Sequence, residues 1–479
     1  MGWVLGLGCA VGCGDDSTAT DTEGGSTGGT TVGMTTMPTT MTPADSGSSE
    51  VGTTGGTTSG TTGGSDSGSD SGSDSGSDSG SDSGSDTGTG GMVFPGCTDP
   101  ALASYPGTMS ALDLIFVVDN SGTMGTAQAK LAVAMDSFVA RLDDEGVDYR
   151  IAVTTTDSGN PWCTGTTPEA GDFVASSCRS RTSQFVFAGA GGLDVTDEAC
   201  LDICEHEQIA LTPTTTAVDP VAAPRPWVER IDGTTNLPAG VTPAEALRCM
   251  LPMGINGCGF ERTLESTRRA ILRAVSDTEA QYGFFRDGAD SLVVIVTDEL
   301  DCSDNVDFET IWLPEDDKVF WSNPDDVTPT SAVCWNAGVA CTGSSPYDEC
   351  HAENYDVTGS PGATDAQAVL HPTSRYTDSL TDLDVTNGTG AVKVAVIAGV
   401  PDDYPTGGEL VYADDPSDDW QHSFGIGQGC SDPDLAALPP VRLREVAEAF
   451  ADPGERNVYS ICSEAYCDDL EAVVDDLLQ

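Results

Sequence analysis

The sequence predicts a doubly wound α/β fold: a mostly parallel sheet with helices on both faces, preceded by a disordered N-terminal tether. Three observations carry this. From residue 112 onward, short apolar runs alternate with segments of helical periodicity. The apolar runs are continuous, as expected of strands buried on both faces. Residues 14–92 are almost purely Gly, Ser, Thr and Asp, so they have almost nothing apolar to bury and cannot offset their conformational entropy.

The chain opens on "MGWVLGLGCAVG". This stretch resembles the tail of a secretory signal, although the first basic residue of the whole chain is Lys130. The true start is therefore expected upstream. The apolar run is too short to span a bilayer. "AVGCGDDS" is similar to a bacterial lipoprotein cleavage site with Cys13 as the acylated residue, and a plain signal peptide is the alternative. The expectation is a protein of the bacterial cell envelope, lipid-anchored to the outer membrane, or secreted if Cys13 is not acylated. The tether follows over 14–92. Its "SDSG" units place Asp66, Asp70, Asp74, Asp78, Asp82 and Asp86 four apart. A flexible chain of this length spans about 50 Å end to end, and like charges extend it further. A calcium-binding repeat is disfavoured, because the unit lacks the apolar position such repeats need.

The folded region is expected over 93–479. "LDLIFVVD" (112–119) reads as a buried strand, and "AQAKLAVAMDSFVARL" (127–142) as a helix with Leu131, Met135, Phe138 and Leu142 on one face. Further strands are expected at 148–157, 291–299, 391–400 and 457–462. Further helices are expected at 264–275, 441–450 and 468–478. In such sheets ligands sit outside the carboxyl ends of the strands.

Three connections are too long for simple crossovers: 157–263, 300–390 and 401–440. They hold Cys163, Cys178, Cys200, Cys204, Cys249, Cys258, Cys302, Cys334, Cys341, Cys350 and Cys430. With Cys97, Cys462 and Cys467 these make fourteen once Cys9 and Cys13 are set aside, enough for up to seven disulfides in an oxidising compartment. The pairing is not readable from the sequence. Zinc is the competing reading, with Cys200, Cys204 and His206 as its best ligands, but no CxxC pair exists and a fourth ligand is missing.

The charge narrows the function classes. Seventy-seven Asp and Glu face 19 Lys and Arg, for a formal net charge of -58. Nucleic acid is excluded as a partner, since binding it needs basic patches. Divalent cations are the natural counterparts of such a chain. Asp119 ends the first buried strand, and Ser121 and Thr123 sit on the turn after it. Asp298 ends the later strand "SLVVIVTDE". Helix capping explains one polar residue here, but not an acid at each of two strand ends. Carboxylates and hydroxyls converging above one sheet suit a hard, oxygen-seeking cation.

"DNSGTM" (119–124) resembles the DxSxS motif of von Willebrand factor type A domains, the metal-ion-dependent adhesion site. The resemblance covers roughly residues 111–479, with insertions. It implies that Asp119, Ser121, Thr123 and Asp298 hold Mg2+, Ca2+ or Mn2+. Thr123 stands for the usual second serine, and Glu299 stands where a glycine is frequent. The motif's intermediate threonine falls in "GCGFERTLEST" (257–267), where Glu261 or Thr263 fills the place. A glutamate there tilts selectivity toward calcium. The family's mechanism implies an open coordination position that accepts a carboxylate from a partner protein or other acidic ligand. Glu299, Asp301, Asp304 and Asp307 form a possible second cation site.

The expected function is therefore a metal-dependent binding or adhesion module, not an enzyme. A structural envelope protein with a purely structural cation is the alternative. A metal-dependent phosphohydrolase is the weaker one, because a second acid two residues after Asp119 is replaced by Ser121.

Overall fold

The computed structural model describes residues 110–187, 193–387 and 391–478. Cys13, Cys97 and the 14–92 segment lie outside these described residues. The central sheet is built from β1 (Ala111–Val118), β2 (Asp148–Thr155), β3 (Val228–Ile231), β4 (Thr234–Thr235), β5 (Asp290–Val296), β6 (Val392–Ala398) and β7 (Val458–Ser460). It has seven strands in the order β7-β6-β5-β1-β2-β3-β4. The pairs from β7 to β2 are parallel. The short β3 and β4 extend the edge antiparallel.

The apolar runs sort by the two-residue period of a strand. In β1, Leu112, Leu114, Phe116 and Val118 enter one core, while Ile115 and Val117 enter the other. The first core is closed by α1 (Gly125–Asp144), α2 (Pro243–Met250) and α6 (Cys467–Leu478), through residues such as Leu131, Leu247 and Val474. The second is closed by α3 (Thr263–Ala274), α4 (Thr373–Asn387) and α5 (Val441–Glu448), through Ile271, Leu380 and Val446. Burying apolar side chains on both faces, at about 25 cal/mol per Å² removed from water, is what holds the layers together. The fold is thus α/β and doubly wound.

The chain leaves β1 toward β2, then returns to place β5, β6 and β7 on the other side of β1. The strand order therefore reverses between β1 and β5, and their carboxyl ends flank the crevice where such sheets bind ligands.

The long connections contribute to the sheet itself. Residues 157–263 supply β3, β4 and α2, and residues 300–390 supply α4. The sequence reading missed them for physical reasons. The two strands are four and two residues long, and α2 only eight, too short for a period to register. What fixes α2 is local: Pro243 at its start, and a capping box in which Thr242 and Glu245 satisfy each other's backbone N–H groups. The α4 run "TSRYTDSLTDLDVTN" is largely polar.

The connections are also cross-linked. The pairs are Cys163–Cys258, Cys178–Cys200, Cys204–Cys249, Cys302–Cys334, Cys341–Cys350 and Cys430–Cys462. Cys467 is disulfide-bonded as well. Cys200 and Cys204 each hold a different cysteine, so they are not zinc ligands together with His206. Among the described residues no helix is long and apolar enough to cross a membrane.

Candidate metal centre

The site forms where β1 and β5 end. The Asp119 N–H continues the sheet ladder by donating to the Val296 carbonyl at 2.9 Å. Its carboxylate is fully buried. One oxygen accepts the Ser121 N–H at 2.7 Å, and the other accepts the Thr297 hydroxyl at 2.5 Å. These two bonds aim the aspartate across the mouth of the sheet. The first fixes the turn that carries Ser121 and Thr123. The second ties β1 to β5, one residue before Asp298.

Gln128 holds the turn from below. It sits fully buried on α1. Its side-chain amide donates 2.7 Å bonds to the carbonyls of Asp119 and Gly254. Its oxygen accepts the N–H groups of Met253 at 2.9 Å and Gly254 at 3.0 Å. A second clip runs from the Gly257 N–H to the Asn120 carbonyl at 2.8 Å. The loop before α3 is thereby fastened to the DxSxS turn.

The head of α3 brings in the third component. This helix has no side-chain cap of its own. Its orphan N–H groups are satisfied by the loop after β5 instead: Leu264 donates to Asp301 at 3.1 Å, and Glu265 to the Ser303 hydroxyl at 2.9 Å. That dock fixes Glu261 and Thr263 beside the strand ends. Glu261 is fully buried, and one of its oxygens accepts the Thr156 hydroxyl at 2.5 Å.

The acids at the strand ends act on one another electrostatically. Burial pushes the Asp119 carboxyl above its ordinary range. Burial first, and then the charges of Asp119 and Asp157, push Glu261 well above its own. Burial and the Asp119 charge push Asp298 up to about 8, opposed in part by the Thr123 hydroxyl. Glu299, partly exposed, is raised well above its range by burial and by Asp298 and Asp119. Among the described residues no Lys or Arg pairs with any of these four acids. Such a group is stable only if protons or a bound cation relieve it.

Asp119, Glu261, Asp298 and Glu299 thus lie within electrostatic reach of one another, with Ser121 on the turn bonded to Asp119 and Thr123 beside Asp298. Thr263 is buried with its hydroxyl unpartnered, but no bond links it to Asp119. The residues missed by sequence reasoning are those that position the others: Thr297, Thr156 and Gln128. Only Gln128 left a signal, as an uncharged polar residue on the buried side of an amphipathic helix.

Ser121 Oγ, Glu261 Oε1 and Asp298 Oδ1 are buried side-chain oxygens without a hydrogen-bond partner. Fifteen buried side-chain polar atoms among the described residues lack a partner, so a single case carries little; these three stand out because their residues border one strand-end crevice. All the donors are oxygens, the ligand type of Mg2+, Ca2+ and Mn2+ rather than zinc or copper. Among the described residues no group of three or more His, Cys, Asp or Glu is gathered as a ready metal cage. The acids at the strand ends share a charge field without being drawn to ligating distance, so the fit rests on the chemistry of the donors.

The acids after Asp298 do not join as a second site. Asp301 accepts a 2.9 Å bond from Arg442 Nε, and Asp304 is held by a two-pronged ion pair with Arg262. Asp307 is exposed. Arginines already neutralise the buried members, so no cation is needed there.

Fold and site together define the class: a doubly wound α/β domain with an oxygen-lined acidic crevice at its switch point. No family model and no curated protein matches the chain. Among solved structures it is similar to the pilus adhesin SpaC from Lactobacillus rhamnosus GG in its open conformation, at 11% identity and a TM-score of 0.30. The match covers 77% of this chain and 30% of the adhesin chain. A second structure of that adhesin gives 9% identity, a TM-score of 0.29 and the same coverage. At these values function has to be argued from the site's own geometry.

Proposed function

We propose that this chain is an exported, metal-dependent binding module of the von Willebrand factor A type. Asp119, Ser121, Thr123, Asp298 and Glu261 would hold one divalent cation, Mg2+, Ca2+ or Mn2+. The observation that supports this most is the set of buried, unpartnered oxygens on Ser121, Glu261 and Asp298 beside Asp119. A bound cation would supply a positive centre for an acidic group of a partner. The residues of the chain do the rest. Thr297 and the Ser121 N–H orient Asp119, Thr156 orients Glu261, and Gln128 keeps the turn from sliding. Glu261 brings a third carboxylate, which favours calcium and reduces the cation's pull on an acidic ligand. Acylation at Cys13 would tether the domain to the outer membrane through a long acidic leash.

The deciding experiment compares the unmodified protein with Asp119→Ala. Metal content and thermal unfolding are measured with each of the three cations and with chelator. A cation-dependent rise in Tm, absent from the variant, supports the site. Identical curves in every condition would remove the basis for metal-dependent capture. Only with a positive result does a partner pull-down, with and without chelator, become informative.

A further inference from the structure

Beside the acidic crevice lies a polar cavity of about 220 Å3. Asn120, Asp157, Thr166, Glu169, Gln184 and Gly257 are among its walls. It adjoins the metal centre through Asn120, the neighbour of Asp119, and through Asp157, whose charge acts on Glu261. Whole small-molecule sites run from roughly 300 to 1,000 Å3, so this space fits one side chain rather than a complete ligand. Its two facing loops are stapled together. Thr166 follows Cys163, Gly257 precedes Cys258, and these two cysteines form a disulfide.

The charged side chains lining the cavity are acids, and one basic group stands behind the wall: Arg181, which bonds Gln184 at 3.2 Å and partly offsets the upward shift of Glu169. Asp157 is 1% exposed, and its oxygens accept only the backbone N–H groups of Gly159 at 2.8 Å and Cys258 at 3.3 Å. Glu169 accepts the Thr155 hydroxyl at 2.6 Å. Neither acid has a Lys or Arg within ion-pair distance among the described residues, and no Lys or Arg lines the cavity. Burial, and to a lesser degree the Asp157 charge, hold Glu169 above its ordinary range. An independent feature points to a hydrogen-bond donor. Asn120 is 7% exposed, lines the cavity, and its Oδ1 accepts nothing. The whole Asn120 amide packs on Gly257, where any Cβ would clash at 2.2 Å, so glycine at 257 is what lets Asn120 take this position at the cavity wall.

We propose that this cavity receives a single cationic side chain of the partner, a guanidinium or ammonium group. The carboxylates of Asp157 and Glu169 supply the counter-charge, and Asn120 Oδ1 accepts one of its N–H bonds. Resting on the metal-site reading above, the full recognition element is then a pair: an acidic group for the cation and a basic group for the cavity, on one partner. The strongly negative chain favours the approach of such a basic group at long range.

The test uses the full chain and does not depend on the metal. Arginine amide is titrated by calorimetry in chelator, against citrulline amide, a neutral side chain of nearly the same shape. Binding of arginine amide at least tenfold tighter than citrulline amide is expected. Glu169→Gln should weaken arginine amide at least fivefold, and Thr166→Lys, which places an ammonium group inside the cavity, should abolish binding. Circular dichroism and intact disulfides confirm that both variants fold. Equal binding of the two amides, no binding of either, or an unchanged affinity in Glu169→Gln overturns the proposal. If arginine amide binds as expected while no cation raises Tm, the cavity stands and the metal reading alone falls.

Discussion

Two sets of buried acids border the loop after β5, one including Asp298 and the other made of Asp301 and Asp304, and the chain treats them in opposite ways. Asp301 and Asp304 are met by Arg442 and Arg262, and Trp312 adds a 3.2 Å bond to Asp304. Asp298 and its companions Asp119 and Glu261 meet hydroxyls and backbone N–H groups but no cation of the chain. Both sets are equally hidden from water: Asp304 is 1% exposed, Asp298 2%. A buried carboxylate is costly unless it is paired. Where arginines are supplied, the acids hold the fold together. Where they are withheld, at a switch-point crevice, the acids are left with hydroxyls and backbone N–H groups, which is the arrangement the proposed cation site builds on.

This contrast breaks most readily on its paired side. Asp304→Ala takes the two-pronged partner from buried Arg262 and leaves it only the 3.5 Å contact with half-exposed Glu309, and the expected loss is about 3 kcal/mol of stability. The loss should be the same with and without divalent cations, as read by chemical denaturation. A cation-dependent loss would mean that the two sets are not separate. On the unpaired side, Asp298→Asn removes a repelling charge while keeping the shape. In chelator it should cost little or even stabilise. With cation at about 100 times Kd, the unmodified domain gains about 2.7 kcal/mol that the variant lacks. A variant that still gains it would show that Asp298 is no ligand.

A smaller effect probes the frame under the site. Gln128→Leu keeps the volume of the α1 side chain but deserts two carbonyls and two N–H groups. The expected cost is about 2 kcal/mol, since buried polar groups left unpaired forfeit their solvation. Cation affinity should drop with it, because the turn at Asp119 and the loop at Gly254 are no longer joined. Unfolding in chelator and cation titration separate the two effects.

How much of this was legible beforehand follows from the range of each interaction. The continuous strands and the long helices announced themselves, because burial on both faces leaves an unbroken apolar run. Asp119 and Asp298 were legible because strand ends in a parallel sheet point to one edge. The fate of Asp301 and Asp304 was not. Their arginine partners lie 141 and 42 residues away along the chain, and no local pattern links them. The same holds for the disulfide map, with Cys163 and Cys258 separated by 95 residues. Nor could the sequence decide between Glu261 and Thr263. Both lie at the head of α3, which the loop after β5 caps through a tertiary contact with no local signature, and both keep a buried, unpartnered oxygen there.

Glu261 sharpens the comparison at its finest point. Its side chain divides between two tasks: one oxygen holds the Thr156 hydroxyl, and the other is unpartnered. Glu261→Gln keeps the size and still offers an oxygen, so the fold should be little changed. What is lost is one negative charge facing Asp119 and Asp298. Calcium, which draws on more charged oxygens, should lose about tenfold in affinity, or about 1.4 kcal/mol. Magnesium, which keeps more of its water, should lose less. The ratio of the two affinities, measured by calorimetry on variant and unmodified protein, is therefore the informative quantity. A fall in the calcium-to-magnesium ratio places Glu261 in the coordination set. An unchanged ratio with unchanged affinities would leave it an anchor for Thr156 and return the third position to Thr263, whose hydroxyl is also buried and unpaired.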